Sequence, residues 1–205
     1  MAPSETSIAN AALAHLGERR ITDLADPNSR TAKLLQDRFD DVRDALLRRH
    51  DWNFASTRAS LSLNATAPTW GFANAYNLPT DMLRMIEVRD AEHDEYRIEA
   101  GQIVTDHGPP LYIRYTARVT DAQQMDVLFR ESLAALLAAE TAEAITGDRA
   151  KVGDLLQIVD EKIRYARNAD GQEDPPRSLI ASEWLDSREE TGPVRRIPTG
   201  TGTPL

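Results

Sequence analysis

The chain has 205 residues and no cysteine. It therefore cannot form disulfide bonds, use a thiolate nucleophile or ligate a metal through cysteine. It also lacks any window near the roughly 18 consecutive apolar residues that a membrane span needs. Residues 1–5 have neither the basic start nor the apolar segment of a signal peptide. These absences predict a soluble protein that is made in the cytoplasm and has no membrane partner.

Positive charge is scarce, with 24 Lys and Arg against 33 Asp and Glu and a formal net charge of -9. Binding of nucleic acid requires clustered basic residues, so nucleic-acid binding is not expected to be the main function of an acidic chain of this kind. Lysine occurs only as Lys33, Lys151 and Lys162. A GC-rich genome is the simple explanation of the arginine excess, and a preference for bidentate arginine contacts at interfaces is the alternative.

Apolar residues recur at helical spacing in several segments. In the second of these, Phe39 and Leu46 lie on one apolar stripe. Asp121 and Gln124 have the spacing of a capping box at the start of the third, which is rich in alanine. The pattern predicts four long helices, at about 5–16, 29–49, 122–145 and 148–168.

Short alternating segments occupy the region between the second and third helices, about 57–118. The segments "TRASLSLN", "DMLRMIEVRD", "YRIEAGQIVTD" and "LYIRYTARV" alternate as strands do, and Glu99 to Gln102 form a hairpin turn between two of the runs. We therefore predict an α+β fold: a mainly helical four-helix bundle with a small antiparallel β-sheet of three or four strands inserted between helices two and three.

The C-terminal part differs in composition from the rest. A polar linker follows Asn168, and a short helix is predicted at about 181–190. Trp184 lies in that helix with few apolar neighbours, which is typical of an anchor on a partner. Residues 191–205 include Arg195 and Arg196 and have no apolar period, so a flexible tail is expected. We divide the chain into a domain at 1–190 and a tail at 191–205.

No arrangement of residues indicates catalysis. The 4 histidines are scattered over different segments, and neither a nucleophile elbow, a phosphate loop nor a dinucleotide fingerprint occurs. Glu140 and Glu143 are spaced i, i+3 but lack the Glu-x-x-His pairs of a di-iron site. His50 next to Asp51 is better explained as a complement to a helix C-terminus than as an acid–base pair. We expect no catalytic residue, no metal and no cofactor.

The stretch from residue 46 to residue 85 raises a choice between the rim of an active site and a structural corner. Its aromatic residues, with Trp70 and Phe72, are predicted to pack between sheet and helices, because the basic surroundings of a nucleic-acid platform are missing. Trp52 and Phe54 are expected to fasten the helix end to the sheet. We predict a structural corner made by His50, Trp52, Phe54, Tyr76, Leu78 and Pro79.

Four segments, in order, resemble one family. They are "ANAALAHLGERRITDLAD", "FDDVRDALLRRHDWNFASTRASL", "YNLPTDMLRM" and "IRYTARVTDAQQMDVLFRESLAALLAAETAEAITG". Together they resemble the head–tail adaptors of tailed phages of the tail tubular protein A type, including related adaptors of gene-transfer agents. The resemblance covers about residues 5–190 and does not extend to the last residues of the chain.

The resemblance implies a structural role in the virion, at the head–tail junction, for a protein made in the host cytoplasm. Such adaptors form a homo-oligomeric ring, typically of twelve copies, under the portal protein. They offer a surface to the next tail component (stopper, nozzle or tail tube), and DNA passes through the lumen without sequence-specific binding. We assign portal contact to Trp184, Arg195 and Arg196. The alternatives are a small non-enzymatic helical binding or regulatory module and, less favoured, an uncharacterised enzyme.

Overall fold

The computed structural model describes residues 2–89, 91 and 95–173. Contacts divide the chain into two units, Met1–Asp174 and Pro175–Leu205, and the described residues belong to the first. The predicted short helix at 181–190 and the tail at 191–205 lie outside the described residues. The same holds for the predicted portal contacts Trp184, Arg195 and Arg196.

Four long helices contain more of the described residues than the strands do. The main helix contacts of α1, α2 and α4 are all made with α3, which makes α3 the central helix. Alanines such as Ala134, Ala135 and Ala138 are fully buried on α3, and their small side chains allow its neighbours to approach closely. The helices are α1 (Glu5–Leu16), α2 (Arg30–Arg48), α3 (Val127–Thr146) and α4 (Ala150–Glu173).

The start of α3 differs from the sequence-based prediction. Asp126 is its N-cap, and its Oδ1 accepts hydrogen bonds from the main-chain N–H of Leu128 at 2.7 Å and of Phe129 at 3.3 Å. Asp121 instead accepts from the main-chain N–H of Gln123 at 2.9 Å. The predicted capping box is therefore wrong, because Asp121 stabilises a turn that precedes the helix.

The strands form two three-stranded antiparallel sheets, with the orders β1-β6-β3 and β2-β5-β4. The prediction of a four-helix bundle with one small sheet is therefore wrong. The sequence does not predict strand β2, because its consecutive residues Ala75 and Tyr76 are both buried and the segment therefore does not alternate. The alternation of apolar and polar residues also does not show which strands pair with each other. Ser56 at the start of β1, for example, pairs with Thr116 near the end of β6. The strands are β1 (Ser56–Leu61), β2 (Asn74–Asn77), β3 (Met82–Val88), β4 (Tyr96–Glu99), β5 (Gln102–Thr105) and β6 (Leu111–Ala117).

The apolar side chains collect in two separate clusters. The sheet cluster includes the fully buried Tyr76 and Ile103 together with Ile113 and Tyr115. The helical cluster lies around α3 and includes Trp52 from the segment after α2. Its largest fully buried side chains are Leu13, Leu35, Phe39, Leu46, Leu47, Trp52, Phe129, Leu133, Leu137 and Val159.

A two-residue turn joins β4 to β5 at the position where the sequence indicates a hairpin. Ala100 has φ 50° and Gly101 has φ 75°, so both central residues are in the left-handed region. Hairpins of this length favour turns with positive φ at both positions, since their twist matches that of the strands. Among the described residues, Ala100 is the one non-glycine with positive φ.

Candidate functional site

The segment after α2 is tied to α4 through a single aspartate. Asp170 Oδ1 accepts a hydrogen bond from the main-chain N–H of Asn53 at 3.0 Å, and its Oδ2 lies 3.1 Å from His50 Nε2. Asn53 also donates from Nδ2 to the main-chain carbonyl of Asp170 at 2.8 Å. His50 is therefore held in one orientation, and Asn53 is held by both its main chain and its side chain.

Trp52 and Phe54 lie against the central helix. Trp52 is fully buried, and its Nε1 donates to the main-chain carbonyl of Leu46 at 3.2 Å. Its ring meets Phe129 of α3 edge-on with centroids 5.2 Å apart, and the Phe54 ring lies 5.0 Å from the same Phe129. The aromatic contacts that hold this segment are thus made with α3, whereas the sequence-based hypothesis had the sheet as the partner.

The second half of the predicted corner lies in the sheets. The Tyr76 hydroxyl donates to the main-chain carbonyl of His107 at 2.8 Å, and the Leu78 main-chain N–H donates to the main-chain carbonyl of Gly101 at 3.0 Å. The Pro79 carbonyl accepts from Met82 N–H at 3.1 Å, in the turn that leads into β3. The structure places Trp52 and Phe54 in the helical cluster and Tyr76 and Leu78 in the sheet cluster, so the predicted residues do not converge on one site.

Among the described residues, three side chains have clearly shifted pKa values. Burial raises the pKa of Tyr76, and burial together with Asp81 raises the pKa of Tyr115, whose hydroxyl donates to Asp81 Oδ1 at 3.2 Å. Partial burial and the charge of Lys162 lower the pKa of His15, against the opposing effect of Glu131. The two tyrosines keep their protons and act as hydrogen-bond donors inside the sheets. Within the part of the chain that the structure describes, no group of three or more His, Asp or Glu is placed to hold a metal ion.

Helix α4 carries exposed apolar side chains. Its buried stripe, which includes Val159 and Ile163, packs in the helical cluster. Ile158 and Tyr165 are 37% and 66% exposed and, being seven residues apart, lie on the same side of the helix. Leu156 is 47% exposed on the other flank of the buried stripe. Ile158 and Tyr165 are called the α4 patch below.

A second exposed apolar group lies far from α4 in sequence, in the loop between β1 and β2. Trp70 is 86% exposed, although the sequence-based prediction placed it in the core. The loop borders an open cavity of about 510 Å³ whose other wall is the β4–β5 hairpin with Arg97 and Gln102. The one sequence signal for exposure is its position between Pro68 and Gly71, in a segment with no apolar period. Exposed tryptophans are typical anchors of protein interfaces.

Comparisons with known proteins give no assignment. No family model matches the chain, and no curated protein is significantly similar to it. Across the described residues, the helices are too short or too polar to cross a membrane.

Proposed function

We propose that the chain is a structural head-to-tail adaptor subunit. It assembles as a ring under the portal of a tailed phage or phage-like particle and links the capsid to the tail around the DNA channel. The first support is the set of ordered segments that resemble such adaptors. The proposed role requires neither catalysis nor a cofactor, and its working surfaces are interfaces.

The observation that carries the proposal is that the two most exposed large apolar side chains of the described residues, Trp70 and Tyr165, lie on different elements. A ring subunit needs one pair of surfaces for its neighbouring copies and further surfaces for the components above and below. The α4 patch provides an extended row on a helix, with Ile158 and Tyr165 two turns apart, and we assign it to contact between copies. Trp70 stands alone on a loop, and we assign it to one of the axial partners.

Assembly tests this proposal directly. The purified chain, alone and mixed with its candidate portal protein, is examined by mass photometry and electron microscopy. Ring particles are expected, and Tyr165→Glu is expected to abolish them, because a charge would be buried unpaired at the interface. Gln157→Glu is the matched control, since it adds the same charge at an exposed position on the same helix. Monomers or dimers under every condition would instead indicate a small helical binding module.

A further inference from the structure

An open cavity of about 620 Å³ lies between the end of α2 and the second half of α4. We call it the arginine cavity. Most of its lining is polar or charged, and Ile163 is the apolar residue in its wall. The polar lining residues are Arg49, His50, Asp160, Arg164, Arg167 and Asn168.

The arginine side chains of this cavity have no ion-pair partner among the described residues. Arg49, Arg164 and Arg167 form no ion pair with any described residue, although the chain has a surplus of acids. Elsewhere Arg38 and Arg118 each lie within 2.9 Å of a carboxylate oxygen.

Charge is therefore unbalanced in the arginine cavity. Arg164 and Arg167 are three residues apart on one helix, where like charges repel. Three guanidinium groups face the lining carboxylate of Asp160 and the carboxylate of Asp170, which contacts His50 in the wall. The formal local charge is therefore +1, opposite in sign to that of the whole chain. An arrangement of this kind is stabilised when an anion enters.

One wall of the cavity is held rigidly. His50 and Asn53 are both bound to Asp170. Arg49 is the C-cap of α2, and its main-chain N–H donates to the main-chain carbonyl of Leu46 at 3.1 Å. The end of α2 is thus fixed against α4 before any ligand binds. The main chain that carries Arg49 is already in place, so binding costs less main-chain conformational entropy there.

We propose that the arginine cavity binds phosphate groups of a nucleic-acid backbone. A planar guanidinium matches the oxygens of a phosphate in bidentate fashion. A protein partner would be expected to need an apolar centre, and this cavity offers little beyond Ile163. Phosphate contacts carry no sequence information, so binding is independent of base sequence. The net charge of -9 keeps the affinity of a single copy low.

This inference rests on the proposed function, because a ring around a channel would bring many such cavities close to the passing DNA. Each copy would contribute one weak contact, which positions the strand without arresting it. The cavity nevertheless has a property that can be measured on the single chain, namely salt-dependent binding to duplex DNA.

The test compares two triple variants by fluorescence anisotropy with a short labelled DNA duplex at low and moderate salt. The triple variant Arg49→Ala, Arg164→Ala and Arg167→Ala should bind the duplex at least about tenfold more weakly. The slope of its affinity against salt concentration should fall by roughly three, one unit for each lost phosphate contact.

The matched control replaces exposed arginines outside the cavity that also lack described partners, and it should change binding less than about twofold. These control substitutions are Arg19→Ala, Arg20→Ala and Arg30→Ala. Thermal melting should be unchanged for both, because none of these arginine side chains forms an ion pair or a hydrogen bond with a described residue.

Three outcomes would overturn the site. Equal loss of binding in the two triple variants would indicate a general charge effect. Stronger binding of a glutamate-rich peptide than of DNA would indicate an acidic protein as the partner. Unchanged binding in the cavity variant would place the contact elsewhere. Ring assembly is measured in parallel, so that rings without DNA binding reject the site alone. DNA binding by a chain that forms no rings, alone or with the portal protein, rejects only the adaptor function. Binding by Tyr165→Glu is expected, because the cavity lies within a single copy.

Discussion

Asp170 on α4 accepts the main-chain N–H of Asn53 at 3.0 Å, and this contact joins the last described helix to the segment that leaves α2. The two residues are 117 positions apart in sequence. The same carboxylate lies 3.1 Å from His50 Nε2. One side chain thus fixes both the end of α2 and the wall of the arginine cavity.

Asp170→Ala should lower the free energy of unfolding by about 1–3 kcal/mol, because it leaves a partly buried N–H and the His50 ring without their acceptor. Urea unfolding measures the change. Asp154→Ala, at an exposed position on the same helix whose side chain forms no hydrogen bond or ion pair with a described residue, should stay within about 0.5 kcal/mol of the original chain. Equal effects of the two substitutions would contradict the role given to Asp170.

Replacement by alanine should change the stability of the protein strongly at Trp52 and very little at Trp70. Trp52→Ala removes a fully buried ring that contacts Phe129, and it should cost about 3–5 kcal/mol of stability. Trp70→Ala removes an exposed ring and should change stability by less than about 0.5 kcal/mol. Trp70→Ala should nevertheless weaken capture of the axial partner in a binding assay. A large loss of stability at Trp70 would argue against its assignment as an anchor.

The β4–β5 turn offers a pair of substitutions of opposite sign. Ala100→Gly should stabilise the protein by up to about 1 kcal/mol, because Ala100 has φ 50°, a conformation that alanine adopts at a cost. Gly101→Ala should destabilise it by about 1 kcal/mol for the same reason. A Cβ at Gly101 would meet no atom within 4 Å, so the effect belongs to the main chain alone. Thermal unfolding of the two variants should move the midpoint in opposite directions.

Alkaline pH should destabilise the sheets through Tyr76 and Tyr115. Both have a raised pKa in the folded protein, whereas the unfolded chain ionises them near about 10. The unfolded state therefore loses protons first, so the stabilisation is fully present below pH ~10 and is lost as pH rises through the folded pKa values. Urea midpoints across this range should fall less steeply for Tyr76→Phe than for the exposed control Tyr165→Phe. Identical slopes would mean that Tyr76 does not contribute.

Removal of residues 191–205 tests the predicted portal contact. Docking to the portal protein should be lost, while the circular dichroism spectrum and the unfolding midpoint should remain those of the full chain. Arg195→Ala with Arg196→Ala should weaken docking in the same assay, since both remove arginines from the predicted contact. Unchanged docking by the shortened chain would refute the assignment.

Local signals in the sequence were sufficient to locate the helices and most strands. Apolar residues at helical spacing mark α2 and α4, and glycines in the left-handed region end α1 at Gly17 and α3 at Gly147. The hairpin turn at Ala100 and Gly101 was also visible, because its backbone demands are met within a few residues. Such features depend on neighbours in sequence, which is why they can be predicted without the fold.

The sequence by itself determined where helices and turns form and that the chain is acidic, but not which elements meet. Pairing of Ser56 with Thr116 and the contact of Asn53 with Asp170 close long loops, and nothing in a local pattern specifies such partners. The exposure of Trp70 and the gathering of Arg49 with Arg167 were likewise decided only in the tertiary structure. The physical reason is that burial and charge balance are properties of packed neighbours, and those neighbours come from segments far apart in the chain.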